Sequence, residues 1–287
     1  KNRNKTETMS AMKAKDVDLS KLTITAPKTL NNGGKMMFVN YGGGINKLYL
    51  HTPETELPFD ASYFADDDNS GKYSVKISLN NIESDQKVKE FHDKLVEMDN
   101  LLIEKACENS QSWFKKAKMS RDAVEALYTP MVKVSVDQET GEPNGKYPPG
   151  CGFKIVKKDG KFPEFSIYDN QKPPTVFDVN HETESPVSIE RLLVKNALVK
   201  CVLRCNGVWI ANGKFGCTWR AEQVRIKTPE GGLNDFAIMS DSEDEDSGVD
   251  PKVIVEDSSD EEVEEQVQKK EEKPKKVRKV RVKKESA

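Results

Sequence analysis

The chain of 287 residues has no long apolar run, and its five cysteines are an odd number spread along the sequence. No stretch approaches the ~20 apolar residues that a membrane-spanning helix needs. The N-terminal segment also lacks the apolar core of a signal peptide. Scattered cysteines argue against a secreted disulfide framework and favour a reducing compartment. The sequence therefore predicts an intracellular protein that does not associate with membranes.

Catalytic and metal-binding patterns are also scarce. The three histidines sit among ordinary neighbours. Residues 141–146 (GEPNGK) are too short between the glycines for a phosphate loop, and Tyr147 replaces the Ser or Thr that would hold magnesium. Cys201 and Cys205 lie about 13 Å apart on one strand, too far to share a metal. We therefore expect a protein that is not an enzyme and has no cofactor or metal.

The C-terminal segment carries two opposite blocks of charge. Residues 240–265 hold thirteen Asp or Glu and one Lys, and residues 266–287 hold ten Lys or Arg and three Glu. Neither block contains enough apolar residues to offset the entropy lost on ordering, so both are predicted to be disordered interaction tails. The predicted organisation is a flexible basic arm (1–18), a domain (19–228), an acidic tail (229–265) and a basic tail (266–287).

The sequence of the domain predicts many short strands with one long helix between them. Residues 72–79 alternate apolar and polar, and 35–41 with 45–51 predict a hairpin joined by three glycines. From 83 to 114 the apolar spacing is helical, and Ser120 caps a second short helix over 121–128. Further strands are predicted at 19–25, 131–136, 153–157, 162–168, 175–179, 197–205 and 214–227. This pattern predicts a mainly β, OB-fold-like antiparallel barrel with insertions, and a jelly-roll sandwich is the alternative.

Cationic and aromatic residues alternate along the predicted strands, as expected of a surface that binds single-stranded nucleic acid. Such a surface needs positive charge for phosphates and exposed rings for base stacking. Trp209 is predicted in a loop, where it would stack on bases, whereas Trp219 shares a face with Phe215 and is expected to be partly core. The predicted nucleic-acid-binding residues are Lys154, Tyr168, Lys200, Arg204, Trp209, Lys214, Trp219, Arg220 and Arg225.

The run ALVKCVLRCNGVWIANGKFGCTWRAEQVRIK at 197–227, followed by an acidic tail, carries a resemblance to a known family. It resembles the replication single-stranded-DNA-binding proteins of large nucleocytoplasmic DNA viruses, especially algal ones. These are similar to the OB-fold single-strand binders of short-tailed coliphages. The resemblance implies an OB-fold core, sequence-independent coating of single-stranded DNA, and an acidic tail that contacts replication proteins and competes with DNA. The chain departs from the phage pattern because a basic segment follows its acidic tail.

Together these observations predict a single-stranded-DNA-binding protein of viral replication or recombination, located in the host nucleus or a viral factory. Single-stranded RNA is a further possible ligand, and the chain could form homo-oligomers or be packaged in the virion. The first alternative is a virion structural or genome-packaging protein whose basic tail contacts nucleic acid. The second alternative is a chaperone whose acidic tail binds basic proteins.

Overall fold

The computed structural model describes residues 11–65 and 71–229. The predicted basic arm lies mostly outside these residues, and both charged tail blocks lie wholly outside them. The predicted boundaries of the arm, the domain and the tails therefore stay predictions.

The described residues are mainly β-strands with a few helices. The helices are α1 Gln86–Glu108, α2 Ser110–Phe114, α3 Arg121–Glu125 and α4 Ile189–Leu192, with 3-10 turns at Ala14–Asp16 and Leu19–Lys21. The strands are β1 Leu22–Ile24, β2 Lys28–Thr29, β3 Lys35–Met37, β4 Val39–Tyr41, β5 Tyr49–His51, β6 Thr55–Glu56, β7 Ser62–Phe64, β8 Lys72–Ser78, β9 Tyr128–Thr129, β10 Val132–Lys133, β11 Gly150–Val156, β12 Glu164–Ile167, β13 Val176–Phe177, β14 Leu198–Ala211 and β15 Lys214–Lys227.

The centre of the sheet is the long antiparallel hairpin of β14 and β15. Its two strands pair along their whole length, with irregularities between Val202 and Leu203 and between Cys205 and Gly207. Asn212 and Gly213 form the turn at positive φ (52° and 73°), as two-residue hairpin turns require. The inward face of β14 is apolar and buried, as predicted, and consists of Val199, Cys201, Leu203 and Cys205 together with Ala197 just before the strand.

The other strands flank this hairpin on both sides. β6, β5 and β3 pair successively with β14, while β9, β11 and β12 pair with β15. β11 continues antiparallel to β8 and then to β7. Within the described residues most strand pairs are antiparallel, and the three parallel pairs all involve β15. The predicted mainly β class is confirmed, while the finer assignment to an OB-fold-like barrel stays a prediction.

The long helix forms where the spacing of apolar residues predicts it. The Asp85 side chain accepts a hydrogen bond from Lys87 N at 2.7 Å and so caps the start of α1. The helix ends at Glu108, with Asn109 as its C-cap, and α2 follows, so the predicted span divides into two helices. None of the helices in the described part of the chain is long and apolar enough to cross a membrane. The predicted apolar face is buried at Val88, Phe91, Leu95, Met98, Leu102 and Ala106.

The predicted hairpin of 35–41 with 45–51 is wrong. β4 pairs with β1, whereas β3 and β5 both pair with β14. Gly42, Gly43 and Gly44 all have positive φ, so the chain makes a wide loop there rather than a two-residue turn. The two segments therefore become separate partners of the central hairpin.

Candidate nucleic-acid interface

Four of the predicted cations lie on the outer face of the central hairpin. Lys200 pairs with Arg225, and Arg204 pairs with Arg220. Residues directly opposite each other in an antiparallel pair share a face, so each pair presents two cations together. Residues 200 and 204 also have the same parity along β14. The structure thus brings these four predicted residues onto one surface.

A carboxylate lies within this cationic surface. The irregularity after Val202 leaves Glu222 without a direct partner on β14, because Gln223 pairs with Val202 and Ala221 pairs with Leu203. Arg220 Nε donates to Glu222 Oε1 at 2.6 Å, and Arg204 Nε lies 3.5 Å from the same oxygen. Glu222 therefore partly neutralises both arginines and fixes their positions.

The two arginines belong to a row that crosses the sheet at right angles to its strands. Tyr49 on β5 pairs with Arg204, and Lys154 on β11 pairs with Arg220. Lys154 in turn pairs with Ser74 on β8. Neighbouring strands lie about 4.8 Å apart, so the row from Tyr49 to Ser74 spans about 19 Å. We call Tyr49, Arg204, Arg220, Lys154 and Ser74 the cation row.

A groove opens on the β8 and β11 side of the cation row. It has a volume of about 500 Å³ and is lined by residues of β8, β9, β10, β11, β14 and β15 and of three loops. Four of its lining residues are aromatic: Phe59, Tyr147, Trp209 and Phe153, of which Phe153 is buried. Phe59 is 64% exposed and Tyr147 is 63% exposed, so both rings are available to a ligand. We call this feature the aromatic groove.

The charge of the aromatic groove is positive. Lys76, Lys133 and Lys154 line it, and its described lining contains no Asp or Glu. Lys76 Nζ lies 5.9 Å from the centre of the Phe59 ring, and Lys146 Nζ lies 5.4 Å from that of Tyr147. Each exposed ring therefore has an ammonium group beside it, which suits a ligand with flat bases and a negative backbone.

Trp209 lies within β14 and not in the predicted loop. It pairs with Met36 on one side and with Gly216 on the other. The absence of a side chain at Gly216 makes room for the indole, because a Cβ there would lie 3.1 Å from Trp209 Cζ2. Trp209 is half-buried and lines the groove, so one part of its ring packs in the sheet while another part is open to the groove.

Two predicted residues lie elsewhere. Trp219 is only 3% exposed, and its indole N–H donates to Met131 Sδ at 3.0 Å, so this ring is core and cannot stack on bases. Trp219 is therefore more deeply buried than the partial burial that its shared face with Phe215 predicts. Lys214 follows the hairpin turn, and its ammonium group donates to Ala126 O at 3.3 Å, outside both the row and the groove.

Tyr168 forms a separate cluster at the other end of the hairpin. The Arg225 guanidinium lies 5.4 Å from the centre of the Tyr168 ring and donates to Asp169 O. Burial, and then the nearby Glu54 carboxylate, raise the pKa of the Tyr168 phenol. The half-buried ring therefore already has a cation over one face.

Close to this cluster, His51 pairs with Val202. Burial lowers the pKa of the His51 imidazole, and Lys200 and Lys13 lower it further. His51 is therefore neutral at pH 7, and the positive charge beside it comes from Lys200 and Lys13.

The cysteines pack as thiols and do not gather into a metal site. All five are free, and Cys205 Sγ lies 3.5 Å from Cys217 Sγ in neighbouring strands. Burial raises the pKa of the Cys201 thiol. Within residues 11–65 and 71–229, no group of three or more His, Cys, Asp or Glu side chains is arranged to hold a metal.

Sequence reasoning missed the most exposed rings of the site. Phe59 follows Pro58 in a segment that breaks strand patterns, and Tyr147 lies in a turn-rich loop. The sequence did contain a local signal for Tyr147 as a ligand-binding ring, because Lys146 precedes it and two prolines that stiffen its loop follow it. No periodic pattern relates Phe59, Tyr147 and Trp209, because only the folded sheet brings them together.

Comparison with known proteins gives structural neighbours but no sequence relative. No protein-family model matches the chain, and no curated protein matches it. A single-stranded DNA-binding protein from bacteriophage Enc34, in complex with single-stranded DNA, matches at TM-score 0.36 and 11% identity, over 74% of this chain and 99% of that chain. The single-stranded DNA-binding protein gp2.5 of bacteriophage T7 matches at TM-score 0.35 and 13% identity, over 68% and 97%. At such scores the likeness carries no conclusion about this chain.

Proposed function

We propose that this protein binds single-stranded DNA without regard to sequence and acts by binding, not by catalysis. The observation that carries the proposal is the aromatic groove, where the accessible rings of Phe59, Tyr147 and Trp209 lie among three lysines. The cation row overlaps the groove, since Ser74 and Lys154 belong to both.

The groove suits a single strand because its aromatic side chains would bind the bases while its basic side chains would bind the phosphates. Every base has a π-face, so stacking on Phe59, Tyr147 or Trp209 would contribute ~1–3 kcal/mol per base whatever the sequence. Lysines and arginines would hold the phosphates and make affinity depend on salt. Bases of a duplex are stacked on one another and cannot reach the rings, so a duplex would gain only the phosphate contacts.

The test is an anisotropy titration with labelled oligothymidylate of about 20 nucleotides and with a duplex of equal length, at about 50 and about 200 mM salt. We expect a strong preference for the single strand, with affinity that falls at higher salt. Phe59→Ala and Tyr147→Ala should each weaken binding by at least about fivefold, the lower end of the effect of one stacked base. An oligouridylate of the same length measures the preference for DNA over RNA.

Phe64→Ala is the matched control. Phe64 is also an exposed ring, 51% accessible on β7, but it does not line the groove and precedes the acidic run 66–68. Its removal should leave affinity within about twofold of the parent, because no stacked base is lost. Equal affinity for single strand and duplex, or equal effects of all three substitutions, would reject the proposed function.

The biological setting is part of the same proposal. We place the protein in viral DNA replication or recombination, in the host nucleus or a viral factory, on the resemblance of residues 197–227 to viral single-strand binders. The acidic block at 240–265 would compete with DNA for the cationic surface or recruit replication proteins. Deleting 240–265 should then tighten DNA binding at low salt, and unchanged affinity would remove the competition model.

A further inference from the structure

A second group of aromatic and basic residues lies at the opposite end of the cation row from the groove. Phe38 is 44% exposed, and Lys47 Nζ lies 4.9 Å from the centre of its ring. Lys47 also donates to Asn40 Oδ1 at 2.6 Å, which fixes the ammonium group beside the ring. Tyr49 on β5 is half-buried and is the last residue of the row. We call Phe38, Lys47 and Tyr49 the β5 patch.

The sheet joins the β5 patch to the arginines. Cys205 N donates to Leu48 O, so Lys47 and Tyr49 flank a residue that pairs with β14. Leu48 is buried, and its two neighbours therefore point to the outer face that Arg204 shares. Burial, and then repulsion from Arg204, lower the pKa of the Lys47 ammonium group. A bound phosphate near both cations would relieve that repulsion.

The position of Phe38 is fixed by a close approach of two backbones. Gly207 has φ of +136°, and a Cβ there would lie 2.1 Å from Met37 O and 3.2 Å from Phe38 Cα. The backbone at 37–38 therefore packs directly against the irregularity of β14 at Gly207. The backbone of Phe38 is also held by a side chain, because Phe38 N donates to Thr25 Oγ1 at 2.9 Å. The ring therefore stands on a rigid support, as a stacking platform requires.

We propose that the β5 patch is a second contact site for the same DNA strand, reached from the aromatic groove along the cation row. This inference rests on the proposed function. Charge and continuity support it, because the row supplies three adjacent cations, Lys154, Arg220 and Arg204, between two aromatic clusters, and Glu222 neutralises the two arginines only in part. The row spans about 19 Å, which is roughly six nucleotides at the 3.4 Å spacing of a stacked strand. A short strand would fill the groove alone, and a longer one would reach the β5 patch.

The test compares the Phe38→Ala variant with the full-length parent on oligothymidylates of about 4 nucleotides, the lower end of the expected site-size range, and of about 20 nucleotides, which exceeds that range. Phe38→Ala should weaken binding of the long oligonucleotide by at least about fivefold and change binding of the short one by less than about twofold. Phe38→Tyr keeps a ring and should retain parental affinity, whereas Phe38→Leu keeps only apolar bulk and should behave like the alanine variant. Phe59→Ala should weaken binding at both lengths.

The outcomes separate this inference from the proposed function. If Phe59→Ala weakens binding but Phe38→Ala has no effect at either length, the β5 patch is not a contact site and the groove proposal stands. Equal losses at both lengths for Phe38→Ala would also overturn a separate second site. If the parent shows no preference for single strands, the proposed function fails and this inference fails with it. Circular dichroism of each variant confirms that the fold is retained.

Discussion

Arg220 donates its Nε–H to Glu222 Oε1 at 2.6 Å, and this contact places a carboxylate within the row of cations that crosses the sheet. The same oxygen lies 3.5 Å from Arg204 Nε. Glu222 occupies this position because the strand irregularity leaves it without a direct partner on β14. In the free protein it holds both arginines in place, but a phosphate that binds there must compete with it.

Replacing Glu222 with Gln should therefore strengthen binding of single-stranded DNA. The amide oxygen can still accept a hydrogen bond from Arg220, while the negative charge that competes with phosphate is gone. We expect roughly two- to fivefold tighter binding at low salt, in line with the few tenths to ~1 kcal/mol of a partly exposed ion pair. The plot of log affinity against log salt should become steeper by about 0.7 if one more phosphate is neutralised. Anisotropy titration across a salt series measures both.

Glu104→Gln is the matched control for this prediction. Glu104 also pairs with an arginine, Arg121, at 3.8 Å, but on the exposed surface of α1. Its substitution should leave DNA affinity unchanged. If Glu222→Gln weakens binding instead, the carboxylate aids binding more by positioning the arginines than it opposes binding by competing with phosphate.

The tryptophans provide an optical test of the groove. Trp113 and Trp219 are buried, and Trp209 alone among the three is half-buried and lines the groove. A base stacked on Trp209 should quench its fluorescence, so addition of oligothymidylate should lower the emission of the parent. Trp209→Phe should abolish most of this quenching while keeping a ring for binding. Quenching that persists in the variant would show that DNA does not contact Trp209.

The sequence predicts the regular parts of this fold well because their signals are local. The apolar spacing from Val88 to Ala106 indicates a helix, and the structure confirms its buried face. Alternation along β8 and along the start of β14 identifies their inward residues correctly. It also predicts the outward cations Lys200 and Arg204, because parity along a strand assigns each side chain to a face.

What the sequence does not predict depends on which strands become neighbours. The glycines at 42–44 suggest a hairpin, yet β5 pairs with β14, which lies about 150 residues further along the chain. The asparagine and glycine residues around Trp209 indicate a loop, but β14 runs through Gly207 as an irregular strand. Phe59 and Tyr147 carry no periodic signal, so only the tertiary structure shows that they share a groove.

Gly207 should be among the glycines least tolerant of substitution. Its φ of +136° disfavours any side chain, and a Cβ would overlap Met37 O at 2.1 Å. We expect Gly207→Ala to lower the free energy of unfolding by more than ~2 kcal/mol, from backbone strain together with displacement of the chain at 37–38. Gly213→Ala is the control, because Gly213 has φ of +73° but a Cβ added there would have nothing within 4 Å. Gly213→Ala should lower the free energy of unfolding by only the ~1–2 kcal/mol of a left-handed residue. Equal losses for the two variants in urea denaturation would argue against the close approach at Gly207.

Asp99 should make the stability of the protein depend on pH between about 4 and 7. This carboxylate is buried on α1 and accepts hydrogen bonds from the Tyr128 hydroxyl and from Met131 N. Burial raises its pKa to about 6, although these hydrogen bonds oppose the rise. A folded-state pKa above the unfolded value of 3.8 means that the folded protein binds the proton more tightly. The resulting stabilisation is complete below pH 3.8 and is lost as the pH rises through about 6.

Asp99→Asn removes this titration and keeps an oxygen that can accept from Met131 N. The difference in free energy of unfolding between parent and variant should therefore shift by about 2 kcal/mol against the parent from pH 4 to pH 7. Urea denaturation at several pH values measures this difference. Asp137→Asn is the control of opposite sign, because hydrogen bonds from Thr140 N and Glu139 N lower the pKa of the Asp137 carboxyl. Its contribution should be present at neutral pH and lost as the pH falls. A parent-to-variant difference for Asp99→Asn that stays constant with pH would show that Asp99 titrates alike in the folded and unfolded states.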